Sequence, residues 1–261
     1  QPNVVPSKAT VWYFVREITA DNIRTNFEAL QRIAEGATMM TDTTVSRRII
    51  GAAYPRHFNK PIAEAMYENI RAVGMPEWSE DDQLFARAFQ EFMGAEEIIG
   101  LNSEVADLGV PLEQPRSGGS DDIGDVSWNV PTVTLRFPSN IDGRIGHHWS
   151  SAIAMATPVA HKGASAGAKV VAATILDLIQ QKDLVTNAWT YFREEQTAQE
   201  TYVPFISNDD PPAIEKNKGI MDRYKSALEN YYYDAAKYPT YLDQLGIDYP
   251  QLVEPNKKSE E

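Results

Sequence analysis

Val11-Trp12-Tyr13-Phe14-Val15-Arg16 is the run on which the reading of this chain turns. Side chains alternate across a strand, so Val11, Tyr13 and Val15 share one face and Trp12, Phe14 and Arg16 the other, which predicts a strand over 10–17. Working outward, Ile23, Phe27, Leu30 and Ile33 recur at helical spacing. Thr19 can cap a helix over about 20–35 and Gly36 can end it. Residues 43–51 read as a second strand. A second helix follows at about 60–73, with Pro61 in its first turn, Ile62, Met66 and Ile70 as its stripe, and Gly74 and Pro76 as its stop. Strand, helix, strand, helix with short connections predicts a small sheet covered by two helices on one face. Before it, Gln1-Pro2-Asn3-Val4-Val5-Pro6 leads straight into the strand, so the chain is expected to open inside a domain, with any leader on residues outside it.

The chain has 261 residues, 43% of them hydrophobic, enough for one large or two modest domains. The formal net charge is −13, which argues against nucleic acid or an anionic membrane surface, since both need a basic footprint. The absence of cysteine excludes disulfides and thiolate metal sites and leaves the compartment open. The longest apolar run, around Val170 to Ile179, is broken by Thr174 and Asp177 and is too short for a bilayer.

Further along, Ser79-Glu80-Asp81-Asp82 predicts a capping box for a helix carrying Leu84, Phe85, Ala88, Phe89 and Phe92. Residues 94–119 read as a long loop. Val133, Leu135 and Phe137 alternate as a strand, 138–160 is irregular, and a small-residue helix from about Gly163 to Gln181 is apolar on most sides and expected to be buried. The region from about 195 is rich in Pro, Tyr and acids.

Three of the four histidines, His147, His148 and His161, fall within fifteen residues. Imidazole is the commonest zinc ligand, although adjacent side chains diverge and a His-His pair rarely gives two ligands to one ion. The competing reading is a polar loop with incidental histidines. Asp121, Asp122 and Asp125 follow Gly118-Gly119-Ser120. Carboxylates there can ligate metal, orient a ligating histidine or act as a base, but Gly, Ser and Asp are also what a tight turn requires. The glycines lack the spacing of a phosphate loop. Arg16 is either a strand-end charge in solvent or a guanidinium fork for a carboxylate. His57 reads as a turn residue.

On these residues the chain resembles a known superfamily. Asn3-Val4-Val5-Pro6 with Arg16 closing the next strand resembles the lid (dimerisation) domain of the metallo-aminoacylases, succinyl-diaminopimelate desuccinylases and carboxypeptidases. The run Gly119-Ser120-Asp121-Asp122-Ile123-Gly124-Asp125-Val126-Ser127-Trp128-Asn129, the His147-His148-Trp149 element and Ala160-His161-Lys162-Gly163 are similar, more narrowly, to the B-type chains of aminobenzoyl-glutamate hydrolases. The resemblance covers residues 1 to about 205.

The resemblance implies an α/β fold of two domains, a mixed-sheet catalytic domain and an α+β lid. Residues 1–76 would be the later part of the lid, 77–205 the later part of the catalytic domain, and 206–261 a Tyr/Pro-rich tail on the surface. It implies metal-dependent hydrolysis of the amide of an N-acyl or N-aroyl amino acid, with one or two zinc or manganese ions. Most ligands and the general-base glutamate would come from a missing N-terminal half or a companion polypeptide, and the lid would form a dimer. In this chain His147 would be the metal ligand, with His148 as runner-up. Asp122, Asp125 and His161 would sit around the site, and Asn3, Arg16, Gly119 and Ser120 would hold the substrate. The alternative is a non-catalytic dimerisation or partner subunit. No targeting segment is read from the sequence; the superfamily default is cytoplasmic, and a periplasmic or secreted location stays open.

Overall fold

The computed structural model describes residues 3–109 and 119–252. The described residues contain helices and turns and no β-strand. The expected α/β fold with a mixed-sheet domain is therefore corrected: 10–17, 43–51 and the segment around Val133–Phe137 belong to no ladder. The physical reason lies in what a strand needs. Alternation prepares two faces, but a strand is completed only when a neighbour takes up its N–H and C=O groups. No described segment forms a ladder with them, and Val11, Trp12, Tyr13 and Phe14 remain exposed.

The chain divides into two compact units. The first comprises 1–57, 110–129 and 201–213; the second comprises 58–109, 130–200 and 214–261. Unit 1 carries α1 (Ala20–Thr41) and the short α4 (Ile123–Ser127). Thr19 caps α1 as its sequence suggests, its hydroxyl accepting Asn22 N–H at 3.2 Å. The expected stop at Gly36 is corrected, because the helix runs through it. A mid-helix glycine costs roughly 1 kcal/mol and does not by itself end a helix. Termination comes at Asp42, in the left-handed region at φ 53°.

Unit 2 carries α2 (Lys60–Val73), α3 (Glu80–Phe92), α5 (Ser150–Ile153), α6 (Pro158–Gln180), α7 (Lys182–Tyr191), α8 (Lys218–Glu229) and α9 (Tyr241–Leu245). Helix α2 begins at Asn59, whose Oδ1 accepts Ile62 N–H, and ends at Gly74 at φ 73°. It packs on α6 and α7. Two amides clamp this layer. Buried Asn59 donates to Ala188 O at 2.9 Å and Gln196 Oε1 at 2.8 Å, and Asn69 donates to Asp177 at 2.6 Å. The capping box of α3 is present, Ser79 and Asp82 each accepting the other's backbone N–H.

Helix α6 starts at Pro158, earlier than its composition suggests, which places His161 inside the helix and not before it. Its buried residues Val159, Gly163, Gly167, Val170 and Thr174 follow one face, while Ile175, Leu176 and Ile179 are exposed. The expectation of a buried helix is thereby corrected to burial of one face. Ala86, Phe89, Leu101, Ile141, Ala154 and Val159 form the core of the unit, flanked by Trp78, Phe85 and Met93. No described helix is long and apolar enough to cross a membrane.

Candidate functional site

The loop between Pro138 and α5 presents the paired histidines of unit 2. Its root is Ile141, wholly buried in the core. From there each turn is fastened by a short-range bond. Asn140 accepts Ile141 N–H at 2.9 Å and donates to Ser151 O at 3.0 Å. Ser151 Oγ donates to Ile145 O at 2.7 Å, and Ser150 Oγ accepts Ile145 N–H at 3.1 Å. Glycines at 143 and 146 interrupt the loop, and Gly143 takes φ 88°. The outcome is a tethered loop with an exposed tip at His147 and His148.

His147 has φ 57°, one of two non-glycine residues with positive φ among those described. That region costs an ordinary L-residue about 1–2 kcal/mol and is found disproportionately at functional positions. His148 is held differently. Its Nδ1 lies 3.0 Å from Ser150 Oγ and accepts Ser150 N–H at 3.4 Å, and its ring lies against Trp149 at 5.0 Å. The Ser150 backbone N–H can only donate, so Nδ1 is the acceptor of that bond. A neutral ring that accepts at Nδ1 carries its proton on Nε2. His161 is exposed in the first turn of α6, followed by Lys162, whose Nζ lies 2.6 Å from buried Asp82.

In unit 1 the acidic turn has a structural partner set that its sequence does not announce. Asp125 accepts Tyr54 N–H at 3.1 Å and the Tyr202 hydroxyl at 2.8 Å. Burial, then the bond to the Asp125 carboxylate, pushes the Tyr202 hydroxyl up to about 12. Tyr54 is buried and stacks on Phe205, with edge contacts to Trp128 and Tyr202. The Arg24 guanidinium lies over Tyr54 and Phe205 and donates to Val203 O at 2.8 Å. Gly124 packs so tightly that a Cβ there would stand 1.9 Å from Tyr54 O. Asp121 pairs with Arg56 at 3.3 Å.

His57, read as a turn residue, is half-buried with its ring against Trp128 at 4.6 Å and its backbone N–H donating to Ser127 Oγ at 3.3 Å. Burial lowers its pKa below the ordinary 6.5. Asp122, Gly119 and Ser120 are exposed, as are Asn3 and Arg16, with Arg16 over the Phe14 ring at 5.3 Å. Ser117 and Gly118 lie outside the described residues.

Unit 1 therefore brings Asp125 together with Tyr54 and Tyr202, and unit 2 gathers His147 and His148 on one loop. Tyr54, Tyr202, Arg24, Ser127 and Ser150 escaped the sequence reading. Their only sequence signal is that Ser127 and Trp128 stand inside the acidic motif and Ser150 beside the histidine pair. Among the described residues no three His, Asp or Glu side chains converge to hold a metal ion. The donors among the described residues do not make a complete zinc or manganese site.

Compared with known proteins, the chain is similar to a subunit of the p-aminobenzoyl-glutamate hydrolase of Escherichia coli, the B-type one, at 26% identity over 235 residues. This bears out the resemblance read from the motifs. The overlap takes in 82% of this chain and 49% of the relative, so the chain spans about half that protein's length. No family model matches the chain, and no solved structure matches it.

Proposed function

We propose that this chain is part of an amidohydrolase that cleaves the amide of an N-acyl or N-aroyl amino acid, with p-aminobenzoyl-glutamate as the first substrate to try. The observation that carries the reading is the similarity over most of the chain to a subunit of the hydrolase for that compound. In this reading a companion polypeptide supplies the general base and most ligands for one or two zinc or manganese ions. A bound divalent ion would polarise the amide carbonyl and lower the pKa of its water. His147, exposed at the tip of a tethered loop, contributes one imidazole. His148 is the poorer ligand, because its Nδ1 is bonded to Ser150 and a metal ion there would have to displace those bonds. Asp122 and His161 border the site, Asp125 acts by holding the acidic turn in place, and Asn3, Arg16, Gly119 and Ser120 hold the substrate carboxylate, with a second copy of the chain in a dimer.

The test is hydrolysis by the assembly purified with its partner, its composition read by intact mass. His147→Ala should abolish turnover with the assembly mass unchanged. Unaltered turnover would instead make this chain a non-catalytic partner subunit. Tight, stoichiometric zinc on the chain alone would contradict a shared ligand set.

A further inference from the structure

We propose that unit 2 carries a binding pocket for a free α-amino acid with an apolar or aromatic side chain. A cavity of about 210 Å³ lies beside the root of the histidine loop, bounded in part by Trp78, Phe137, Pro138, Asn140, Asp142 and Arg144. Drug-sized sites occupy roughly 300–1,000 Å³, so this one suits a smaller molecule.

Its polar end carries both signs of charge. Arg144 Nη1 donates to Ile141 O at 3.1 Å and lies 3.5 Å from Asp142 Oδ1. That leaves most of the five guanidinium donors to grip a carboxylate two-fold. Asp142 beside it offers an acceptor for an ammonium group. Both charges are exposed, Asp142 at 77% and Arg144 at 38%, and such a surface pair contributes little by itself, so a zwitterion that satisfies both ends opens it at small cost. A simple anion would meet the Asp142 charge, and a simple amine the Arg144 charge.

The apolar end is built into the backbone. The Trp78 indole N–H is tied to Asn102 O at 2.8 Å, which fixes the ring. Phe137 and Pro138 also line it, seated on α6 where no side chain intervenes. A Cβ at Gly167 would stand 2.4 Å from the Phe137 ring, and one at Gly163 would stand 2.2 Å from Pro138 O. The small residues of α6 thus have a task beyond core filling: they let this wall lie against the helix.

Binding is read on the full chain and does not depend on hydrolytic activity, so it stands or falls apart from the proposed reaction. L-Phenylalanine titrated by calorimetry should bind saturably and shift the indole N–H resonance that Trp78→Phe removes. Arg144→Met should weaken it at least tenfold. Because Arg144 also steadies the loop, Asp142→Asn is the second variant. It should weaken L-phenylalanine at least tenfold while 3-phenylpropionate, which has no ammonium and is freed of the Asp142 charge, binds no more weakly than before. Absence of saturable binding, L-phenylalanine affinity within twofold in both variants, or 3-phenylpropionate binding as tightly as L-phenylalanine would overturn the proposal.

Discussion

Replacing Asp82 by Asn tests whether one buried carboxylate ties three segments of unit 2 together. The side chain is wholly buried. It accepts Lys162 Nζ at 2.6 Å, Ser79 N–H at 2.9 Å and the Tyr249 hydroxyl at 3.0 Å, joining the start of α3, the first turn of α6 and the tail. Asparagine can keep all three contacts if its carbonyl faces Lys162 and Ser79 and the Tyr249 hydroxyl turns to accept. The charge is what disappears. Hydrogen bonds to a charged group contribute about 1.5–3 kcal/mol each and neutral ones about 1. Lys162 is partly open to water, so its share is discounted, and Asp82→Asn should cost about 2–3 kcal/mol. Asp82→Ala, which strands three donors and removes the capping box, should cost about 3–5 kcal/mol.

The pH dependence gives the reasoning a second handle. Burial raises the Asp82 pKa, but the bonds from Lys162, Ser79 and Tyr249 together outweigh it and hold it below the ordinary 3.8. A depressed folded-state pKa contributes stability that is present above the unfolded value and lost as pH falls through the folded one. The gap between the unsubstituted chain and Asp82→Asn should therefore be full at pH 7 and narrow below 3.8. Urea unfolding followed by circular dichroism at both pH values measures it. A gap under about 0.5 kcal/mol at pH 7, against the expectation built from these hydrogen-bond energies, or one undiminished at pH 3, would refute the argument.

Tyr202, raised to about 12, makes a contribution that is lost as pH climbs from 10 through 12, and Asp125→Asn should move its phenolate absorbance at 295 nm back toward the ordinary 10.0. Gly124→Ala places a methyl against Tyr54 O and should destabilise the chain by about 1–3 kcal/mol, read as a lower Tm in thermal unfolding. A nitrogen-15 spectrum should show His148 as the Nε2–H tautomer, and Ser150→Ala, which removes the hydroxyl at Nδ1, should mix the tautomers; an Nδ1–H form in the unsubstituted chain would reverse the ranking of His147 over His148.

Helices α2 and α3 were legible because their signals are local. Pro61 and Gly74 bracket one, and the Ser79 to Asp82 box opens the other. The histidine loop was legible as a cluster, since His147 and His148 are adjacent. Its internal order was not, because the choice between two imidazoles depends on Ser150, and the left-handed backbone of His147 leaves no mark in residue type. The acidic turn shows the same division. Asp125 stood out as a carboxylate, but its partners Tyr54 and Tyr202 lie 71 and 77 residues away in the chain.

By itself, then, the sequence determined the helix caps, the acid balance, the absence of thiols and the motifs shared with one chain of a hydrolase, all of which act over a few residues or none. Tertiary structure decided which alternating segments pair as strands and which carboxylates are held. Val11–Val15 has the alternation of a strand, yet a ladder requires a second segment to answer its backbone groups, and no described part of this chain supplies one. On paper Asp82 belongs to a capping box and Asp122 to an acidic turn, and neither reading says which carboxylate is buried. The wholly buried one is set apart by Lys162 and Tyr249, which reach it from 80 and 167 residues away, because a carboxylate withdrawn from water persists only where the fold brings donors to it.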